Sequence, residues 1–242
     1  MEIAAHLDAL DREGAALAAA AAAAALTAPV PGCPDWTVRD LVGHIGYVHR
    51  WAAAIVSGRL AGSEGDADAA VGPSPDDTGL LDWYAEGHRA LVDTLRTAPA
   101  DVDCFTFLAA PSPLAFWARR QALETAVHRA DACAATGTPV EFADDLAHDG
   151  IDETLLGFGA RRRAFEPGSI RLQPSTGSAW RIDLGEEGAA AVRQTTPDSC
   201  DATVAGTPTQ LYLWLWNRPA EVTVTGNPAV AERWRQVRVR WS

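Results

Sequence analysis

Lysine is absent from the 242 residues, so all 20 basic side chains are arginines. That absence excludes chemistries that need an amine at a defined place: Schiff-base catalysis, pyridoxal phosphate held in its usual way, the Walker-A phosphate loop and the protein-kinase active site. A basic region is missing as well. The formal charge is −12, with 9 arginines against 18 acids in residues 1–140 and 11 against 14 in residues 141–242. Such a surface repels nucleic acid and anionic lipid. The two arginine clusters, Arg161–Arg163 and Arg233–Arg240, show no aromatic stacking pattern, and no nucleic-acid partner is expected.

Paired cysteines are also lacking. Cys33, Cys104, Cys133 and Cys200 lie far apart with no CxxC spacing, which reads as reduced thiols in a cytoplasmic protein. No run is apolar enough for a bilayer: the uncharged stretch Gly14 to Pro34 is mostly alanine and ends in Pro29, Pro31 and Pro34. The acidic residues before it (Glu2, Asp8, Asp11, Glu13) stand where a secretion signal needs basic ones, so neither export nor a membrane partner is expected.

What is present is a hydrophobic fraction of 48%, ample for a core although rich in alanine. Helix formers run from Glu2 to Leu26. Thr37, three residues before Asp40, is an N-cap for a second helix with apolar residues at Val38, Leu41, Val42, Ile45, Val48, Ala52 and Ile55. A polar linker over about Ser57 to Thr78 reads as a mobile loop, and two more helices follow, about Gly79–Thr97 and Leu114–Thr136, with Gly137 as a stop. Four helices of this length predict an all-α four-helix bundle over residues 1–140. Residues 141–242 predict a small α+β domain. It opens with one helix over about Asp144–Phe165, followed by strands near Ser169–Gln173, Ala179–Leu184, Ala202–Val204 and Glu221–Thr225. Two further helices start at Thr207-Pro208 and Asn227-Pro228.

Among six histidines, His128 stands four residues after Glu124, so the two side chains share one helix face and can share a divalent ion. A third ligand is needed. The second helix offers His44 and His49 on opposite margins of its apolar face, pointing about 140° apart, and helical geometry does not choose between them.

The run Gly32-Cys33-Pro34-Asp35-Trp36-Thr37-Val38-Arg39-Asp40-Leu41-Val42-Gly43-His44 resembles a signature of the mycothiol-dependent maleylpyruvate isomerase family, and Glu124 to Asp131 resembles that family's ExxxH helix. Further likeness lies in Ala147–Glu153, Val204–Pro208 and Leu211–Arg218. The resemblance implies a DinB-like bundle followed by a sterol-carrier-like domain. His44, Glu124 and His128 would be ligands of Zn²⁺ (or Ni²⁺ or another divalent metal), with His49 left as a helix-surface or packing residue. Three protein ligands leave one position open, where an entering thiol loses its proton and becomes a nucleophile at neutral pH. With mycothiol as cosubstrate, the implied activity is that of an isomerase or thiol transferase acting on a small electrophile, with cis–trans isomerisation of the maleylpyruvate type by thiolate addition and elimination as the lead case.

Substrate carboxylates would need arginines, and the resemblance points to Arg218 as the catalytic one; its place after a helix also suits a surface residue offsetting the helix dipole. Cys33 is read as structural or incidental, since no histidine is placed for it, and Trp214 and Trp216 as packing. His6, His88 and His148 have no recognisable partner and read as surface or interdomain residues. The alternative to an enzyme is a small-ligand-binding protein with a structural ion, suggested by Trp214, Trp216 and the leucines around them. No oligomer interface is legible, and a monomer is expected.

Overall fold

The computed structural model describes residues 1–61, 64–159, 164–194 and 198–236. It divides into two compact units, Met1–Val140 and Glu141–Ser242.

The first unit is helical: α1 (Ile3–Ala23), α2 (Val38–Val56), the short α3 (Glu64–Val71), α4 (Leu80–Thr97) and α5 (Pro113–Ala135). α1 packs along α5 and α2 along α4. α2 begins where the sequence predicts. Thr37 Oγ1 accepts from the Asp40 amide and Asp40 returns a bond to the Thr37 amide, a reciprocal capping box. Its apolar stripe, Val38, Leu41, Val42 and Ile45, is fully buried with Leu17, Ala21, Leu80 and Tyr84. The polar linker is not wholly irregular, since α3 lies inside it. An eight-residue helix rich in aspartate and alanine has no apolar stripe to announce it.

α5 is buried on all faces. Leu114, Trp117, Leu123 and Val127 are inside, and so are Arg120, Gln121, Glu124, Thr125, His128 and Asp131. A helix with no solvent face cannot leave such groups unpartnered without a cost of about 1–3 kcal/mol each. The α1–α4 contact relies on Gly14: a β-carbon there would overlap the ring of His88, whose Nε2 lies 3.1 Å from the Leu10 carbonyl. His88 is therefore a core residue rather than a surface or interdomain one, and His6 is buried, not on the surface.

The loop from α1 to α2 is pinned to its own ends. The Val30 amide donates to the Trp36 carbonyl, the Trp36 amide to Cys33, Val38 to Ala28 and Arg39 to Leu26. Asp35 turns it in the left-handed region, φ +75°, which aspartate tolerates better than most residues. Cys33 and Trp36 are thereby held at the start of α2.

The second unit opens with α6 (Asp144–Asp152), continued by a wider π turn over Glu153–Gly157. The expected helix to Phe165 therefore ends early, beside Gly157 and Gly159; residues 160–163, which include Arg161–Arg163, lie outside the described residues, as do Arg238 and Arg240. Five strands form one mixed sheet: β1 (Gly168–Pro174), β2 (Ala179–Gly185), β3 (Gly188–Gln194), β4 (Ala202–Gly206) and β5 (Thr223–Gly226). The order is β3-β2-β1-β4-β5, with β1 and β4 parallel and the other pairs antiparallel.

α7 (Pro208–Leu215) starts on a second capping box, Thr207 with Gln210, and α8 (Pro228–Gln236) follows β5. Ile170, Leu172, Trp180 and Ile182 of the sheet, with Tyr212 and Trp214 of α7 and Trp234 of α8, are buried core residues of this unit. His148 stacks on Trp180 with ring centroids 5.4 Å apart.

Candidate metal centre

Glu124, His128 and Asp131 project from one face of α5, at i, i+4 and i+7, and Arg120 stands one turn before them. His44 comes from α2, which packs against α5. The Glu124 carboxylate is the hub. Its Oε1 lies 3.1 Å from His128 Nε2 and 3.7 Å from His44 Nε2, while Arg120 Nη2 donates to Oε2 at 2.6 Å. On the far side of the imidazole, His128 Nδ1 bonds Asp131 Oδ2 at 3.0 Å. His44, Glu124 and His128 each bring a ligand atom within 4.8 Å of the others. Ligands about 2.0–2.2 Å from a tetrahedral ion stand about 3.3 Å apart, and the two spacings on Oε1 bracket that value.

The electrostatics suit a dication. Burial alone would push the Glu124 carboxyl up, but the Arg120 charge and hydrogen bonds from His128 and His44 outweigh it and hold the carboxyl well below its usual range. Burial alone would push His128 down. Bonds to Asp131 and Glu124, with their charges, outweigh it and raise His128 to about 9. The metal-free cluster is thus two carboxylates balanced by Arg120 and one imidazolium proton. That proton occupies the lone pair an ion would use, and with Nδ1 engaged by Asp131 the free lone pair is on Nε2.

The cluster opens on one side. Glu124 and His128 are buried, whereas the His44 side chain is 29% exposed and lines a recess of about 450 Å³ with Asp35, Trp36, Arg39, Asp40, Gly43 and Ser74. Trp36 covers the imidazoles, its centroid 4.9 Å from His44 and 6.2 Å from His128, nearly parallel to the latter at 18°.

His49 does not join this group. It is fully buried, its Nε2 lies 2.9 Å from Thr125 Oγ1, and its ring packs on Tyr84 and His88. Arg218 belongs to the second unit, just past α7. Its amide donates to the Leu213 carbonyl and its Nη1 to the Trp216 carbonyl at 2.9 Å, so it caps the helix whose dipole it faces. Trp214 and Trp216 are buried, as packing residues would be.

Two residues near the cluster, Arg120 and Asp131, were given no role from the sequence, and a third, Cys33, was read as structural or incidental. Arg120 and Asp131 were detectable as charges at helical spacing from Glu124 and His128. The contact of Cys33 was not detectable, because its Sγ meets Asp131 Oδ2 at 3.4 Å across 98 residues of chain. Among the described residues, Cys33, His128 and Asp131 form a second set of donors within 4.8 Å of one another.

Residues 7–133 match the family model described as the mycothiol maleylpyruvate isomerase N-terminal domain, and residues 145–233 match that described as the MDMPI C-terminal domain. None of the curated proteins compared matches the chain. Two solved structures of the mycothiol-dependent maleylpyruvate isomerase share its fold. One is of a histidine-to-alanine mutant, with 12% identity and a TM-score of 0.66, and the other has 13% identity and a TM-score of 0.64. In each case 93% of both chains is covered.

Proposed function

From the premise that this chain belongs to the mycothiol-dependent maleylpyruvate isomerase family, an enzyme family, we propose that it isomerises a small electrophile of the maleylpyruvate type with mycothiol as cosubstrate. The observation that carries the reading is the meeting of His44, Glu124 and His128 from two helices around one point, with room at the His44 side for a further ligand. In this reading residues 1–140 are a DinB-like four-helix bundle and residues 141–242 a sterol-carrier-like α+β domain, and the protein acts as a cytoplasmic monomer.

His44 Nε2, Glu124 Oε1 and His128 Nε2 would hold the ion, with Zn²⁺ suited to the two-nitrogen, one-oxygen set and Ni²⁺ or another divalent metal also compatible. Such an ion supplies a position at which a thiol is acidified, so that the nucleophile exists at neutral pH. Asp131 keeps the proton of His128 on Nδ1. Arg120 anchors Glu124 Oε2 and leaves Oε1 for the site. The mycothiol sulfur adds to one carbon of the cis double bond, the resulting single bond rotates, and expulsion of the same sulfur restores the double bond as trans; the thiol is regenerated and no redox partner is required. The substrate's carboxylates require cations, and in a chain without lysine Arg218 is the candidate for one of them.

The test is elemental analysis of purified protein together with turnover of maleylpyruvate with and without mycothiol. About one divalent ion per chain, lost in His44→Ala and His128→Ala, and turnover only with mycothiol are expected. Absence of bound metal from protein handled without chelator, or equal turnover without the thiol, overturns the reading. Arg218→Ala should raise KM for maleylpyruvate more than tenfold while metal content stays unchanged.

A further inference from the structure

His128 meets candidate ligands on both edges of its ring. Its Nε2 faces Glu124 and, with His44, forms the candidate metal centre, while its Nδ1 faces Asp131 Oδ2 at 3.0 Å. Cys33 Sγ reaches that same carboxylate oxygen at 3.4 Å. Among the described residues, Cys33, His128 and Asp131 thus make a second donor set, one ligand atom from each lying within 4.8 Å of the others. Ligands about 2.3 Å (sulfur) and 2.0–2.2 Å (nitrogen, oxygen) from a tetrahedral ion stand about 3.3–3.6 Å apart, so both separations on Oδ2 are a few tenths of an ångström short of ligand spacing.

The backbone holds the sulfur in this place. The Cys33 amide donates to the Val30 carbonyl and the Cys33 carbonyl accepts from the Trp36 amide, each at 3.0 Å. Asp131 and His128, one turn apart on α5, are 1% and 5% exposed, whereas Cys33 is half-buried and gives the set an edge at which an ion can enter. Charge and ligand type separate the two sets. His44, Glu124 and His128 offer an ion one negative charge, part of which Arg120 already offsets. A Cys33 thiolate and the Asp131 carboxylate offer two, which neutralise a dication in a buried site, and a sulfur ligand favours soft cations.

We propose that Cys33, His128 and Asp131 form a second metal site, selective for thiophilic cations such as Cd²⁺, that cannot be filled while His44, Glu124 and His128 hold an ion. The exclusion follows from the shared ring, because a neutral imidazole has one lone pair. With Nε2 on the first ion, the ring proton stays on Nδ1 and bonds Asp131. Starting from the metal-free imidazolium, a cation at the second site instead takes Nδ1 and releases two protons, one from that nitrogen and one from the Cys33 thiol. The remaining proton sits on Nε2 and donates to Glu124 Oε1, so the first set loses a ligand. A thiophilic cation is then an inhibitor that never touches His44. The competition rests on the reading of His44, Glu124 and His128 as the enzyme's metal centre; the second site does not.

The experiment is titration of metal-free full-length protein with Cd²⁺, following the ultraviolet thiolate-to-cadmium charge-transfer band, with cysteine alkylation by iodoacetamide mapped by peptide mass. Wild type should develop the band stoichiometrically. Cd²⁺ should slow alkylation of Cys33 at least about tenfold while leaving the half-buried Cys104 and Cys200 unprotected, a readout that needs no substitution. Cys33→Ser should lose the band, and Glu124→Gln, which dismantles the first set alone, should keep it. Wild type preloaded with Co²⁺ should release its cobalt to a chromophoric chelator as the band grows. Absence of the band in wild type, its persistence in Cys33→Ser, or an unprotected Cys33 overturns the second site. Cobalt retained beside bound Cd²⁺ overturns the exclusion. Co²⁺ bound as tightly by Glu124→Gln as by wild type overturns the reading of the first site and leaves the second standing.

Discussion

Asp131 holds His128 from the side away from Glu124, and its effect should be measurable apart from catalysis. Asp131→Asn should lower metal affinity about 10–100-fold, as loss of a carboxylate behind a metal-binding imidazole does elsewhere. Competition with a chromophoric chelator measures it, and unchanged affinity would remove Asp131 from the site. The proton on His128 adds a pH dependence. In the metal-free protein its pKa is raised to about 9, above the unfolded value of 6.5. Its contribution to stability is therefore fully present below about 6.5 and lost as pH rises through 9. Metal uptake must displace that proton, so apparent affinity should fall up to about tenfold per unit as pH is lowered below 9. Titrations in buffers of different ionisation enthalpy should show about one proton released per ion at neutral pH.

Legibility at this scale was uneven for a physical reason. A histidine's place on one helix is visible in sequence, but the neighbouring helix that turns a margin inward is not, so spacing alone left His44 and His49 equivalent. The structure separates them: His44 stands over Glu124 at the open edge, whereas His49 is sealed against Thr125, Tyr84 and His88.

At the scale of elements, starts read better than middles. The boxes at Thr37 and Thr207 bond groups three residues apart, so both ends of each contact are visible in a short string. Thr37→Ala should cost about 0.5–2 kcal/mol in chemical denaturation, and a value near zero would mean that the loop's own bonds suffice to start α2. β3 was not read because Gly188-Ala189-Ala190-Ala191-Val192 has no β-former pattern; it is a strand because every residue from Gly188 to Gln194 has a partner on β2. α5 was easy to read as a helix and hard to orient, since it has no solvent face. Gly14 marks an opposite case, a contact invisible in sequence that a single methyl would disturb. Gly14→Ala should destabilise the first unit by about 1–3 kcal/mol as α1 shifts from His88, measurable as a lowered denaturation midpoint.

For the molecule as a whole, two buried imidazoles predict acid sensitivity. Burial holds His49 well below 6.5, helped by the His88 charge, and lowers His88 as well. The unfolded chain binds these protons first, so the stabilisation is complete above about 6.5 and is lost as pH falls below it. Thermal melts from pH 7.5 to 5 should show a midpoint that falls with pH, and His49→Gln should flatten the slope. The two-unit architecture was legible because burial pattern and chain punctuation carry it, and these are features that 12–13% identity to the solved relatives can preserve.

The division of the proposed ligands between two helices has a mechanical consequence. α5 presents Glu124 and His128 on one rigid rod and α2 presents His44 from another, with about 80 residues of chain between His44 and Glu124. An ion held by both is a cross-link. Treated like a covalent bridge closing a loop of that length, it would withhold about 4.5 kcal/mol of conformational freedom from the unfolded chain. The first unit would then be stapled by its own catalyst, so stripping the metal should loosen α2 from α5 and open amides along both helices to hydrogen exchange.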